Sequence, residues 1–176
     1  MNNASEKNEF WDIYDENKQV TGRTMKRNDF HMQPGDYHLS VLAVIKRSDD
    51  RFLITKRVMT KRWAPGHWEV TGGGCIAGET SFEAICRETL EETGLDVKDC
   101  PHKLALTYRR DNPDEGDNYF VDVYLFKKDF EDKDIVLQPE EACGFSAATL
   151  DEIKEIAERG EFLHYNSIKD VFEDTI

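Results

Sequence analysis

The chain has 176 residues, with 36 Asp and Glu against 23 Lys and Arg, and a formal net charge of −13. That balance excludes a protein that grips bare phosphate backbones, which needs a basic face for counterion release, and no nucleic-acid polymer is expected as a partner. Ten Phe, six Tyr and three Trp exclude a disordered acidic chain, and no apolar run approaches the roughly 18 residues of a membrane span.

The first residues, MNNASEKNEF, lack the basic-then-apolar order of a secretion signal. Residues 10–22 alternate around Asp15-Glu16-Asn17 and predict a β-hairpin, part of an N-terminal extension over 1–34. His38–Ile45 and Arg51–Val58 are apolar, β-branched runs separated by Ser48-Asp49-Asp50, good turn chemistry. His67–Thr71 reads as a short strand running into Gly72-Gly73-Gly74. Thr80-Ser81-Phe82-Glu83 is a capping box and Gly94 a stop, which predicts a helix of about 13 residues. Lys103–Arg110 and Tyr119–Lys127 read as strands joined by the loop Asp111–Asn118. Thr149-Leu150-Asp151-Glu152 opens a second helix, to about Arg159, and a short helix is expected near Ser167–Phe172. The pattern predicts one mixed α/β domain over 1–176, long enough to bury a core without disulfides. Cys75, Cys86, Cys100 and Cys143 form no CxxC pair and read as free thiols in a reducing cytoplasm.

On the first of these helices Glu88, Glu91 and Glu92 stand at i, i+3 and i+4, so their carboxylates fall within about 100° of arc. Phe82, Cys86 and Leu90 fall on the opposing side and are expected to face the core, with Ile85 and Thr89 at its margin. Like charges at this spacing destabilise a helix by a few tenths of a kcal/mol each, whereas a hard divalent cation such as Mg²⁺ or Mn²⁺ reverses the sign. A bare ExxEE is equally a solvated face. The wider pattern is more specific: Gly73, five residues, Glu79, seven residues, then Arg87-Glu88-Thr89-Leu90-Glu91-Glu92-Thr93-Gly94-Leu95. Such a match arises by chance in on the order of one in a hundred thousand chains of this length.

The segment 73–95 resembles the Nudix box, GX5EX7REUXEEXGU, where U is a bulky aliphatic residue. Only Thr89 departs, at a position of packing. The resemblance implies a Nudix-type α/β/α sandwich on a mixed β-sheet, with the N-terminal hairpin as an addition. It also implies that Glu88, Glu91, Glu92 and the carbonyl of Gly72 hold one or more Mg²⁺ (or Mn²⁺) ions. Glu79 would support the cluster, and Arg87 would pair with box glutamates to hold their rotamers. The expected chemistry is hydrolysis of a diphosphate linkage, in which metal neutralises phosphate oxygens and lowers the pKa of water. A carboxylate takes the remaining proton. Glu88 is the first candidate for that base, and a later acid, Glu140 or Glu141, its rival.

The run from Trp11 through the box also resembles the Nudix branch that contains isopentenyl-diphosphate isomerase and its hydrolase-like relatives. WDIYDENKQVTGRT, HLSVLAVI, FLITKR and Trp63-Ala64-Pro65-Gly66-His67-Trp68 carry that likeness, and His31 and His38 have the spacing of two isomerase metal ligands. The isomerase would need a cysteine at Gly72, a histidine at Gly74 and glutamates at Tyr119 and Val121, where Asp122 is the only nearby acid. Without a protonatable pair on opposite faces of a carbon–carbon double bond, a 1,3-proton shift has no mechanism. Cys75 lies three residues late to replace the missing one. The resemblance therefore implies a hydrolase, with the isomerase and a non-catalytic Nudix-fold binding module as alternatives. Full retention of the box carboxylates weighs against the module.

Charge is distributed unevenly. Lys46–Arg62 holds seven basic residues against Asp49 and Asp50, a surplus suited to a substrate's phosphates. Arg57 is the first choice because a guanidinium grips phosphate bidentately, with Lys56 and Arg62 beside it and Arg109 and Arg110 weaker. A solubilising loop explains the same residues. Trp63, Trp68 and Phe30 are candidates to stack on a base, or are core. The expected partner is a small organic diphosphate, nucleoside-linked or otherwise. The first hairpin is left to cap the pocket or to serve a homodimer.

Overall fold

The computed structural model describes residues 9–29 and 31–176; the first eight residues and Phe30, one of the candidate stacking aromatics, lie outside them. The predicted hairpin is present as β1 (Phe10–Tyr14) and β2 (Val20–Lys26), antiparallel. Its turn is organised by Asp15, whose Oδ1 accepts from Asn17 and Gln19 N–H at 2.9 Å each. The second strand runs on to Lys26, past the expected end at residue 22. Tyr14 bridges to Tyr37, which hands the chain to the main sheet.

That sheet has seven strands: β3 (His38–Lys46), β4 (Phe52–Arg57), β5 (Trp68–Glu69), β6 (Thr71–Gly74), β7 (His102–Arg110), β8 (Tyr119–Lys127) and β9 (Ala142–Ala148). Its main path is β5-β4-β3-β8-β7, with β6 joined to β3 and β9 to β4. Only β3 and β8 pair in parallel, in register from His38↔Tyr119 to Lys46↔Lys127, so the sheet is mixed. Both central strands are apolar on both faces, as strands covered on two sides must be. Leu39, Val41, Ala43 and Ile45 with Phe120, Tyr124 and Phe126 look to one core, and Val44 with Val121, Val123 and Leu125 to the other.

Each face is covered by helix. The first core receives Ala84 and Ile85 of α1 (Ser81–Thr93). The second receives Ile153 of α2 (Leu150–Glu158) and Ile168, Val171 and Phe172 of α3 (Tyr165–Phe172). The result is an α/β/α sandwich. Both capping boxes form, with Thr80 and Thr149 side chains each accepting from the N–H three residues on, and Gly94 ends α1 at φ 76° in the left-handed region.

Two expectations need correction, and one strand is additional. The buried side of α1 is Ala84, Ile85, Glu88, Thr89 and Thr93, while Leu90 is 49% exposed; the face was displaced because Glu88 points inward. α3 starts two residues early, because His164 adopts φ 61° as its N-cap. β9 was not foreseen.

Candidate active site

β6 carries the glycines antiparallel to β3, with Val41↔Gly73 and Leu42↔Gly72 in register. α1 packs across these two strands, and its inward line of side chains meets the glycine backbone. Gly73 leaves room for Glu88: a Cβ built there would overlap the Glu88 carboxylate. One turn on, the Glu92 carboxylate accepts from the Thr71 hydroxyl and, at 3.3 Å, from Gly72 N–H.

Arg87 organises the other end. Its Nε and Nη2 donate to the two Glu79 oxygens at 2.7 and 2.9 Å, Nη1 to Glu88 Oε1 at 2.9 Å, and Nη2 also to the Gly74 carbonyl at 3.1 Å. Glu91 lies further out, 3.3 Å from Nη1. Glu79 itself accepts from Ile76 N–H at 2.9 Å. One guanidinium thus ties the loop before the helix, the glycine strand and two of the helix glutamates.

A second carboxylate pair stands opposite. Glu69, on β5, is held by Arg57 Nη1 at 3.0 and 3.1 Å, and Glu141 is ion-paired with Lys61. Glu141 N–H donates to the Gln138 carbonyl at 3.0 Å, and Gln138 N–H to the Glu92 carbonyl at 3.1 Å. This places Glu141 beside the end of α1, where its charge raises the proton affinity of both Glu69 and Glu92; Glu140 is exposed. Burial pushes Glu88 above the ordinary carboxylate range against the opposing pull of Arg87. Burial, then the charge of Glu88, pushes Glu92 up to about 8. Glu69 is raised by burial despite Arg57. Sequence reasoning did not single out Glu69. Its signal was an acid inside a strand, directly before the glycines.

Two of the three predicted phosphate-binding residues, Arg57 and Lys56, are already engaged. Arg57 is spent on Glu69 and also donates to the Trp63 carbonyl at 3.2 Å, its guanidinium lying over the Trp63 ring. Lys56 lies over the Trp68 ring, while Arg62 is exposed. Arg109 pairs with Asp111, and Arg110 donates to Ser167. Trp63 is 58% exposed beside the His164 ring.

The positions an isomerase would need are filled differently. A Cβ at Gly72 would overlap the Val41 carbonyl oxygen, so no cysteine fits this backbone. A Cβ at Gly74 would lie 2.8 Å from Trp11 Nε1. Trp11 stacks on His38 at 4.0 Å, and His38 on Tyr119 at 5.3 Å; His38 Nε2 meets Asp117 at 3.0 Å. His31 is exposed and bound to Asp29. Asp122 is buried and paired with Lys18 and Thr107. Cys75 is buried in the core, and burial raises its thiol pKa.

The NUDIX domain model matches residues 36–171. The chain is a Nudix hydrolase. An uncharacterized Nudix hydrolase of Listeria monocytogenes is 31% identical over 93% of this chain and 94% of its own length. An isopentenyl-diphosphate Delta-isomerase of Kocuria rhizophila is 33% identical, but over 49% of this chain and 48% of its own. The crystal structure of DR0079 from Deinococcus radiodurans shares the fold of this Nudix hydrolase with a TM-score of 0.70 at 23% identity, covering 87% of this chain and 91% of that one. The sandwich expected from the box is therefore the fold observed, and the hairpin over 10–26 lies outside the span matched by the family model.

The fit of this Nudix hydrolase to a divalent cation rests on its donor set. Glu92 feels the charges of Glu88, Glu69 and Glu141, and Glu69 that of Glu141. Arg57, Arg87 and Lys61 each neutralise one of them; the contacts of Glu92 are a hydroxyl and an amide. This is an all-oxygen cluster of crowded carboxylates, the donor chemistry that hard cations require. Among the described residues, no three ligating side chains converge as a ready-made cation site; Arg87 holds Glu88, and Thr71 holds Glu92.

Proposed function

We propose that this Nudix hydrolase is a divalent-metal-dependent pyrophosphohydrolase that cleaves the diphosphate linkage of a nucleoside diphosphate derivative or a similar small organic diphosphate. The observation that carries it is Glu92, a half-buried carboxylate that is electrostatically opposed by Glu88 and contacted by neutral donors. Glu88, Glu91, Glu92 and the Gly72 carbonyl would hold Mg²⁺ or Mn²⁺. Bound there, the cation supplies neutralisation of the phosphate oxygens and a lowered pKa for attacking water.

The chain's own residues do the rest. Glu88, with its proton affinity raised by burial, takes the proton released as water oxygen bonds to phosphorus and the bridging P–O bond breaks. Glu141 is the second candidate for that base, and Lys61 holds it in place. Arg87 and Glu79 fix the Glu88 rotamer. Lys56, Arg57 and Arg62 receive the substrate's phosphates, Arg57 by exchanging part of its pairing with Glu69. The four free thiols suit a reducing cytoplasm. No described helix is long and apolar enough to cross a membrane.

Phosphate or nucleotide release from a panel of nucleoside diphosphate derivatives, with and without Mg²⁺, tests the proposal. Activity is expected to require the metal and to be lost when Glu91→Gln and Glu92→Gln are combined. Turnover that survives both chelation and the double change would overturn the metal assignment. Isopentenyl diphosphate should yield no dimethylallyl diphosphate; its formation would restore the isomerase.

A further inference from the structure

Three consecutive residues of β1 grip the segment 74–78, which leads from the glycine strand to Glu79. The Phe10 carbonyl accepts from Ala77 N–H at 2.7 Å. The Asp12 carboxylate accepts from Gly78 N–H at 2.7 Å. Between them Trp11, pointing the opposite way as strand alternation requires, is 5% exposed and lays its indole against Gly74. Gly78 sits at φ 89°, a left-handed turn position, and the turn closes by Glu79 N–H donating to the Ile76 carbonyl at 3.0 Å.

Both ends of this gripped segment touch Arg87. At one end the Gly74 carbonyl accepts from Nη2; at the other the Glu79 carboxylate takes Nε and Nη2. Arg87 in turn holds Glu88. Displacing the loop by a fraction of an ångström therefore moves the guanidinium and, through it, the glutamate proposed as base. The hairpin is itself pinned at its far end, where Lys18 pairs with the buried Asp122, and at its return strand, where Arg23 pairs with Asp36 at 2.5 Å.

We infer that the N-terminal hairpin, outside the span matched by the family model, is a brace for the active site, with Trp11 and Asp12 as positioning residues that act on Glu88 through the 74–79 loop and Arg87. The inference rests on the proposed hydrolysis only for its catalytic consequence; the mechanical coupling stands on the contacts themselves. Neither residue is required to touch substrate.

The test compares Asp12→Ala with Asp12→Asn in the full chain, since asparagine keeps an acceptor for Gly78 N–H and alanine removes it. Three readouts are taken: kcat and KM for ADP-ribose hydrolysis in Mg²⁺, Mn²⁺ affinity by electron paramagnetic resonance, and amide hydrogen exchange across 74–80. Asp12→Ala is expected to lower kcat about tenfold with KM nearly unchanged, since small displacements of positioned groups cost rate. It should also weaken Mn²⁺ binding several-fold and speed exchange at Ala77 and Gly78; Asp12→Asn should restore most of each. Trp11→Phe, which keeps a ring against Gly74, should lie between. Unchanged exchange in Asp12→Ala overturns the brace, as does faster exchange with unaltered kcat and Mn²⁺ affinity. Equal losses in the alanine and asparagine variants would assign the effect to charge and overturn it too. If the wild type hydrolyses no diphosphate, the functional proposal fails by itself, and the brace is decided by exchange and Mn²⁺ affinity.

Discussion

The Glu88 carboxylate occupies the space in which a side chain at Gly73 would begin. The first glycine of the box is thus required by the helix one layer above it rather than by a turn. Gly73→Ala should fold, because the Glu88 side chain can rotate away. It should cost on the order of 100-fold in kcat, as expected for misplacing a reacting group. Steady-state kinetics beside a far-ultraviolet circular dichroism spectrum checks both halves.

Thr89, the one departure from the box pattern, is fully buried and its hydroxyl has no hydrogen-bond partner among the described residues. A buried unmade hydrogen bond costs about 1–3 kcal/mol. Thr89→Val, nearly equal in volume, should raise stability by about 1 kcal/mol and leave kcat unaltered. Urea unfolding gives the first number; a loss of stability would mean that the hydroxyl is satisfied in solution.

Arg57 has two candidate roles, and they separate by experiment. Arg57→Ala alone leaves Glu69 half-buried without its cation and should destabilise by about 2 kcal/mol, less than for a fully buried pair. Adding Glu69→Gln removes the stranded charge and should recover most of that loss. If KM for substrate stays raised in the double variant, Arg57 grips phosphate; if it returns to normal, Arg57 serves Glu69.

His164 is poised to make stability pH-dependent. Burial, then the charges of Arg110 and Arg57, lowers it from 6.5 to about 4. The unfolded chain therefore binds this proton at a higher pH than the folded one. The neutral ring's contribution is complete above pH 6.5 and is lost as pH falls towards 4, by up to about 3 kcal/mol. His164→Asn, which tolerates the φ of 61°, should flatten that part of the stability curve relative to wild type. Chemical denaturation at a series of pH values reads the difference directly.

Much of this was legible in the amino-acid order. The capping boxes located α1 and α2 because they are local chemistry, and the double-sided apolar runs located β3 and β8. β9 was hidden because Ala142-Cys143-Gly144-Phe145-Ser146-Ala147-Ala148 has little alternation; its strand character comes from pairing with β4. The inward turn of α1 was hidden for a related reason. An acid is expected to face water, and only the neighbouring Arg87 and the absent side chain at Gly73 let Glu88 face in. Glu69 and Lys61 gain their relation to the box from the sheet, which spacing along the chain does not encode.

The ion pair between Lys18 and Asp122 joins positions 104 residues apart. A hairpin closes within microseconds from local contacts, but this ion pair needs β8 already beside β3. Closing so long a loop carries an entropy cost that must be met before the pair forms. Formation of the pair therefore follows the pairing of the two central strands, whereas the hairpin's contacts with Tyr37 and with residues 77 and 78 do not depend on β8. A nascent chain can thus seat its N-terminal strands on the box segment as soon as that segment emerges, and lock their turn only when β8 arrives.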